Sequence, residues 1–251
     1  MQSLLRRLRD SQLWKSVFRH PLPQDRRTRT TVVHSNLVLH LHPALVRQHA
    51  LRLRYTWCMG GISGLLFLVE TITGVLLMLY YRPTAEWAYA DMLGLRDVVS
   101  LGILREIHRW GAHAMVITVM LHMLRVFLTG SYKPPREFNW VVGVGLLVLT
   151  LVLSFTGYLL PWDQLAYWAT TVASNMAGSV PLLGADGPGQ PLSGVDRGCD
   201  LRFLLLGGPN ISEDSLNRFY VIHCIGLPLV AAVLMGFHFW RIRKDGMSGP
   251  L

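Results

Sequence analysis

Four apolar runs decide what this chain can become. From about Trp57 to Tyr81, Trp110 to Leu128, Trp140 to Leu160 and Phe219 to Trp240, apolar residues dominate for long enough to make about 20 residues of spanning helix each. The expected fold is an all-α membrane protein, a bundle of four transmembrane helices at about 56–81, 103–128, 140–160 and 218–241. Composition agrees, because 51% of the 251 residues are hydrophobic and only 16% are charged, against about 25% charged in soluble domains. A disordered chain and a disulfide scaffold are thereby excluded, as is a soluble nucleic-acid binder, although the net charge of +9 would suit the last.

The basic residues set an orientation. Residues 1–54 hold eleven Lys/Arg and two Asp/Glu, the connection after the second run adds Lys133 and Arg136, and the tail adds Arg241, Arg243 and Lys244, sixteen cations on one side. The connections Arg82–Glu106 and Pro161–Arg218 carry three Lys/Arg each against four and six acids. Both termini are therefore expected on the cytoplasmic side, called the n-side here, with the opposite face the p-side. Much of the positive charge then serves insertion and contact with lipid headgroups, and no nucleic-acid partner is needed to explain it.

Residues 1–54 form a basic n-side arm, and 55–251 the four-helix domain. In the arm Leu4, Leu8, Trp14 and Phe18 fall roughly on one helical face, which predicts an amphipathic interfacial helix; the Arg-rich, acid-poor start also has the composition of a transit peptide. No apolar stretch of signal-peptide kind follows it. The p-side connection 161–217 is too long to be a mere link. Its flanks, Leu165–Met176 and Leu201–Leu206, read as short surface helices, and its Gly/Pro-rich middle, Gly184–Gly198, as an irregular insertion. Cys58, Cys199 and Cys224 make no CxxC or CxxCH motif.

Of ten histidines, four share a pattern: His108 and His122 lie 14 apart on the second run, His223 and His238 lie 15 apart on the fourth. Fourteen steps at ~100° return to within about 40° of the starting face and advance about 21 Å; fifteen miss by about 60°. Both runs cross in the same direction, so His108 is level with His223, and His122 with His238. Two neutral imidazoles from facing helices at each level, with no Asp or Glu directly beside them, suit an axially six-coordinate haem that carries electrons and leaves no open position. His113 lies off that face and reads as an ordinary packed histidine, while His20, His34, His40, His42 and His49 belong to the arm.

The first and third runs repeat the interval, with Gly60 and Gly74 on one and Gly143 and Gly157 on the other. A porphyrin edge approaches backbone closely only where no Cβ intervenes; small-residue packing between helices is the plainer explanation. The shared period favours a bundle enclosing two stacked haems b. Arg105, Arg125 and Arg136 are candidate partners for haem propionates, since Arg grips carboxylates bidentately; Arg109 is as well explained by snorkelling.

From about Leu53 to Leu251 the chain resembles the cytochrome b family in its split, four-helix b6 form. The matching strings are WCMGGISG, YYRPT, REIHRWGAHAMVITVMLHMLRVFLTGSYKPPREFNWVVGV, TGYLLPWDQLAYWA, LNRFYVIHCIGLPL and HFWRIRKDGMSGPL. Asp163 in the PWDQ string and the 15-residue interval resemble the split form rather than the longer one. The resemblance implies that His108 and His223 bind the p-side haem b, and His122 and His238 the n-side haem b. It implies that Cys58 holds a third haem, a haem c, through one thioether beside the n-side haem b. It further implies quinol oxidation at the p-side and quinone reduction at the n-side, coupled to proton translocation. The implied partners are a Rieske iron-sulfur protein, a second cytochrome b-type subunit completing the p-side quinol site, a c-type cytochrome or equivalent acceptor, and a second copy in a dimeric complex. No catalytic base is assigned to this chain. Glu70 departs from the pattern, because the family usually has an amide at that position, and it faces the haems only if it shares the Gly60/Gly74 face.

The leading expectation is thus a membrane redox subunit of a bacterial cytoplasmic-membrane complex. A dihaem anchor of a dehydrogenase or hydrogenase, and a haem-free transporter with a histidine proton relay, are the alternatives.

Overall fold

The computed structural model describes residues 25–35 and 56–246, with Ser11, Gln12, Gln48 and Arg52 singly. Most of the arm, including the expected interfacial helix at Leu4–Phe18, lies outside the described residues. All regular structure among the described residues is helical. Helix α1, Arg26–Ser35, belongs to a smaller compact unit; Arg47–His238 lies in a larger one that holds every candidate site residue. The Asp25 carboxylate caps α1 by accepting the Thr28 N–H at 2.7 Å.

In the larger unit the helices run α2 (Met59–Met78), α3 (Ala88–Asp97), α4 (Val99–Leu128), α5 (Glu137–Leu159), α6 (Gln164–Gly178), α7 (Gln190–Ser193), α8 (Leu201–Leu206) and α9 (Glu213–Val221). A π-helical turn, Ile222–Gly226, joins α9 to α10 (Leu227–Asp245). Four helices are long and apolar enough to cross a membrane: α2, α4, α5 and the continuous helix Glu213–Asp245. Leu65, Val75, Val141 and Leu229 on these helices are each more than half exposed. Such apolar surface is stable against lipid, and a helix meets the lipid's demand that backbone polar groups be bonded internally. The chain is an integral membrane protein.

Local sequence sets the helix ends. Helix α4 stops in a Schellman turn: Gly130 takes a positive φ of 62°, its N–H bonds Phe127 C=O at 3.0 Å, and Ser131 N–H bonds Val126 C=O at 3.0 Å. Asp163 and Asp200 cap α6 and α8 by accepting N–H bonds from Ala166 and Phe203. Ser212 and Ser215 form a reciprocal capping box at the start of α9.

The connections are more ordered than the sequence suggests. Helix α3 occupies part of the Arg82–Glu106 connection, α4 begins at Val99, and the last span starts at Glu213 rather than near 218. Tyr81, Ala88 and Leu216 make a buried cluster with Met92, Leu160, Trp162 and Tyr220 around them. The Tyr81 hydroxyl donates to Leu160 C=O at 2.7 Å, while the Arg82 guanidinium bonds Asp91 at 3.0 Å and covers the Trp87 ring at 4.0 Å. The apolar contacts of Ala88 and Leu95 thus fold α3 onto the ends of the spans. The expected flank helices match α6 and α8, and the insertion between them contains the short α7. Arg197 and Arg202 both bond Asp186 there, and the Arg197 guanidinium holds that carboxyl below its ordinary pKa.

Between the spans the bundle uses small and hydroxylic side chains. Ser63 on α2 donates to Thr118 on α4 at 3.2 Å. Thr73, Thr150 and Thr156 are buried and satisfied by carbonyls on their own helices.

Candidate functional site

Helix α4 and the last span bring the four histidines together in two pairs. The ring centres of His108 and His223 are 6.4 Å apart with planes crossing at 86°. Those of His122 and His238 are also 6.4 Å apart, with planes at 82°. A metal held between two imidazole nitrogens at roughly 2 Å each would separate the ring centres by about 6 Å. The spacing therefore fits one iron per pair.

The fifteen-residue interval has a structural answer. His223 lies inside the π-helical turn Ile222–Gly226, which takes up one residue more than an α-turn would. Fifteen residues then do the angular work of fourteen, and both rings reach α4. Pro228, just beyond, cannot donate an N–H to Cys224 C=O, so the α-helical ladder is already broken at this point. An unbroken helix, as the periodicity predicts, would have left the two rings about 60° apart.

Each glycine of the matched pattern lies against one histidine. A Cβ on Gly74 would stand 3.2 Å from His108 Cε1, on Gly60 3.1 Å from His122 Cε1, on Gly157 2.6 Å from His223 Cε1, and on Gly143 3.8 Å from His238 Cε1. The space kept open at each glycine is taken by the edge of an imidazole ring, where the sequence led one to expect a porphyrin edge. A Cβ at Gly157 could not coexist with the His223 ring where it sits, and one at Gly60 or Gly74 would press its ring by a few tenths of an ångström.

Residues that the period did not reveal set the tautomers. Thr73 Oγ1 donates to Val69 C=O at 2.7 Å and lies 2.9 Å from His108 Nδ1, so its spent proton leaves it an acceptor and Nδ1 must carry the hydrogen. Thr156 repeats this, donating to Val152 C=O at 2.9 Å and facing His223 Nδ1 at 3.1 Å. In both rings Nε2 keeps its lone pair, the form that binds a metal. His238 faces the backbone of Asn139, four residues before Gly143. The sequence does carry a signal for the two threonines, because each stands directly before a pattern glycine, as Thr73-Gly74 and Thr156-Gly157.

The other candidates spread to the two levels. Glu70 shares the Gly74 face, with Oε2 3.1 Å from His108 Nδ1. Arg105 and Arg109 both bond Glu106, Arg105 at 3.1 Å. Arg125 lies close enough to His122 to act on it electrostatically. Arg136 Nε is buried at the His122 end without a hydrogen-bond partner, a donor of the kind a propionate would engage. Cys58 is a free, exposed thiol at the N-cap of α2, two residues before Gly60. It and Trp57 hold φ near +50°, which is uncommon for residues with a Cβ. His113 Nδ1 is 2.7 Å from Arg109 C=O, as an ordinary satisfied histidine should be. Among the described residues, no group of three or more His, Cys, Asp or Glu could hold a metal ion in another way. The donor set of paired neutral imidazoles, glycine clearance and a buried unpaired guanidinium N–H fits haem.

A family model for cytochrome b/b6/petB matches residues 46–246. The chain belongs to the cytochrome b family. This cytochrome b is 43% identical over 211 residues to cytochrome b6 of Heliobacterium mobile, covering 84% of this chain and 91% of that protein. It is 40% identical to cytochrome b6 of Heliomicrobium gestii, with the same coverage. Among solved structures it is similar to a chain of a hyperthermophilic respiratory Complex III, with a TM-score of 0.71, 25% identity and 88% of this chain covered. The chain spans 53% of that solved chain, about half its length. Membership makes it a haem b protein, which sets aside the haem-free transporter.

Proposed function

We propose that this cytochrome b is the redox subunit of a quinol:electron-acceptor oxidoreductase, and that electrons cross it from a p-side quinol site to an n-side quinone site. His108 and His223 hold the p-side haem b, His122 and His238 the n-side haem b. Bound haem supplies a reversible one-electron carrier at each level. The observation that carries the reading is the pair of imidazole pairs at equal spacing, one level about 21 Å from the other along α4. Two imidazoles on each iron would leave no open position for oxygen and would suit electron transfer.

The protein's own groups orient the path. Thr73 and Thr156 fix the rings at the p-side level by accepting Nδ1–H bonds. Arg125 and Arg136 supply cationic partners for propionates at the n-side level. The excess of Lys and Arg in the segments flanking this level supports its lying toward the cytoplasm, so that an electron would cross most of a roughly 30 Å core while quinol protons stay on the p-side. Electron flow is thereby coupled to proton translocation. Completion of the p-side site falls to a second cytochrome b-type subunit, a Rieske iron-sulfur protein and a c-type cytochrome or equivalent acceptor, in a dimeric complex of a bacterial cytoplasmic membrane. The heliobacterial relatives support that assignment.

Cys58 holds a haem c through one thioether. Its exposed thiol at the n-side end, on a left-handed turn two residues from the glycine that faces His122, supports this role. The test is a peroxidase haem stain of the chain on a denaturing gel beside Cys58→Ala. Colour that stays with the wild-type chain and leaves with the variant is the expected result. If neither chain stains while the native protein shows haem b, the third haem is absent and the dihaem-anchor reading replaces this one.

A further inference from the structure

Glu70 is the acid that the electron path leaves unused, and its surroundings are specific. Its side chain sits mid-span on α2 and is mostly buried, where an ionisable group is costly unless it has a job. One oxygen, Oε2, lies 3.1 Å from His108 Nδ1; the other, Oε1, is buried without a hydrogen-bond partner. Gly111 on α4 makes the room, because a Cβ there would collide with Oε1. Among the described residues no carboxylate pairs with His122, His223 or His238. His223 Nδ1 has the Thr156 hydroxyl and His238 the backbone at Asn139, while Glu106, two residues from His108, is bound by Arg105 and Arg109.

His108 Nδ1 thus has the Thr73 hydroxyl as its hydrogen-bond partner at 2.9 Å and a carboxyl oxygen of Glu70 beside it at 3.1 Å. A carboxyl partner on the outer nitrogen of a metal-bound imidazole makes the inner nitrogen a stronger donor to the metal. That effect lowers the reduction potential of that haem alone.

We propose that Glu70, seated against Gly111, is a positioning residue for the p-side haem b that biases His108 and lowers the potential of that haem. The proposal rests on the two-haem reading above.

The test is an optical redox titration of the purified protein, with low-spin electron paramagnetic resonance, for wild type, Glu70→Gln and Gly111→Ala. The p-side transition is the one that survives in His122→Ala. Glu70→Gln keeps the size and an acceptor but replaces the carboxyl by an amide. It should raise the p-side haem's redox equilibrium about tenfold, 59 mV for one electron, and leave the n-side haem in place. Gly111→Ala displaces the same carboxyl from the opposite helix and should shift the same transition in the same direction. It decides the matter if Glu70→Gln does not accumulate. A p-side potential that stays put, or two haems that move together, overturns the proposal while the two-haem reading stands. Wild-type protein without two low-spin haem signals overturns that reading and this one with it.

Discussion

The two histidine levels share a design and differ in their surroundings. Each pairs two imidazoles at 6.4 Å with near-perpendicular planes, backed by glycines. At the His108 level the rings meet two threonine hydroxyls and a carboxyl. At the His122 level the neighbours are Arg125, the backbone of Asn139, the buried guanidinium of Arg136 and, two residues from Gly60, the Cys58 thiol. A ligand pair fixes what is bound. The groups behind it fix how readily the bound centre gives up or takes an electron, and here acid stands at one level and cations at the other.

The largest test of this contrast removes one level. His122→Ala should lose the n-side haem b and keep the p-side one, halving the haem b per chain in a pyridine haemochrome assay. Two low-spin haem signals surviving in that variant would break the assignment of levels.

Glycine substitutions come next, because their clearances differ. Gly157→Ala pushes a Cβ into the His223 ring, an overpacking cost of about 1–3 kcal/mol, and should lower haem occupancy at the p-side level. Gly143→Ala meets its histidine at ordinary contact distance and should leave n-side occupancy close to wild type. Equal losses from the two would show that the glycines serve helix packing and not ring clearance.

Thr156→Val is a finer probe. It strips His223 Nδ1–H of its hydroxyl acceptor at nearly constant shape, a loss of about 1 kcal/mol for a typical hydrogen bond. Haem content should hold, and the p-side potential alone should shift in a redox titration. A shift confined to the n-side haem would mean that the levels have been exchanged.

Much of this was legible in the sequence for a physical reason. Hydropathy and the 14-residue period are local properties, read at fixed angle and rise along one helix, so they delivered four spans and the shared period of histidines and glycines, while the seating of each glycine against a histidine ring came only from the structure. Glu70 also stood out, since a carboxyl inside a span is rare enough to notice. The repeated Thr-Gly dipeptide was there to be seen, yet its meaning depends on a ring arriving from another helix. Helix α3 escaped because its apolar residues pack against non-local partners and its own pattern is weak.

The sequence by itself determined a four-span, all-helical cytochrome b and the identity of its iron-ligand candidates, because spanning length and ligand spacing are written along one dimension. Tertiary structure alone decided which imidazole nitrogen is protonated, that a π-helical turn absorbs the fifteenth residue, and that Gly111 admits Glu70 to His108. Each of those depends on atoms brought within hydrogen-bonding or contact distance from separate helices, and periodicity along a single helix does not encode that distance.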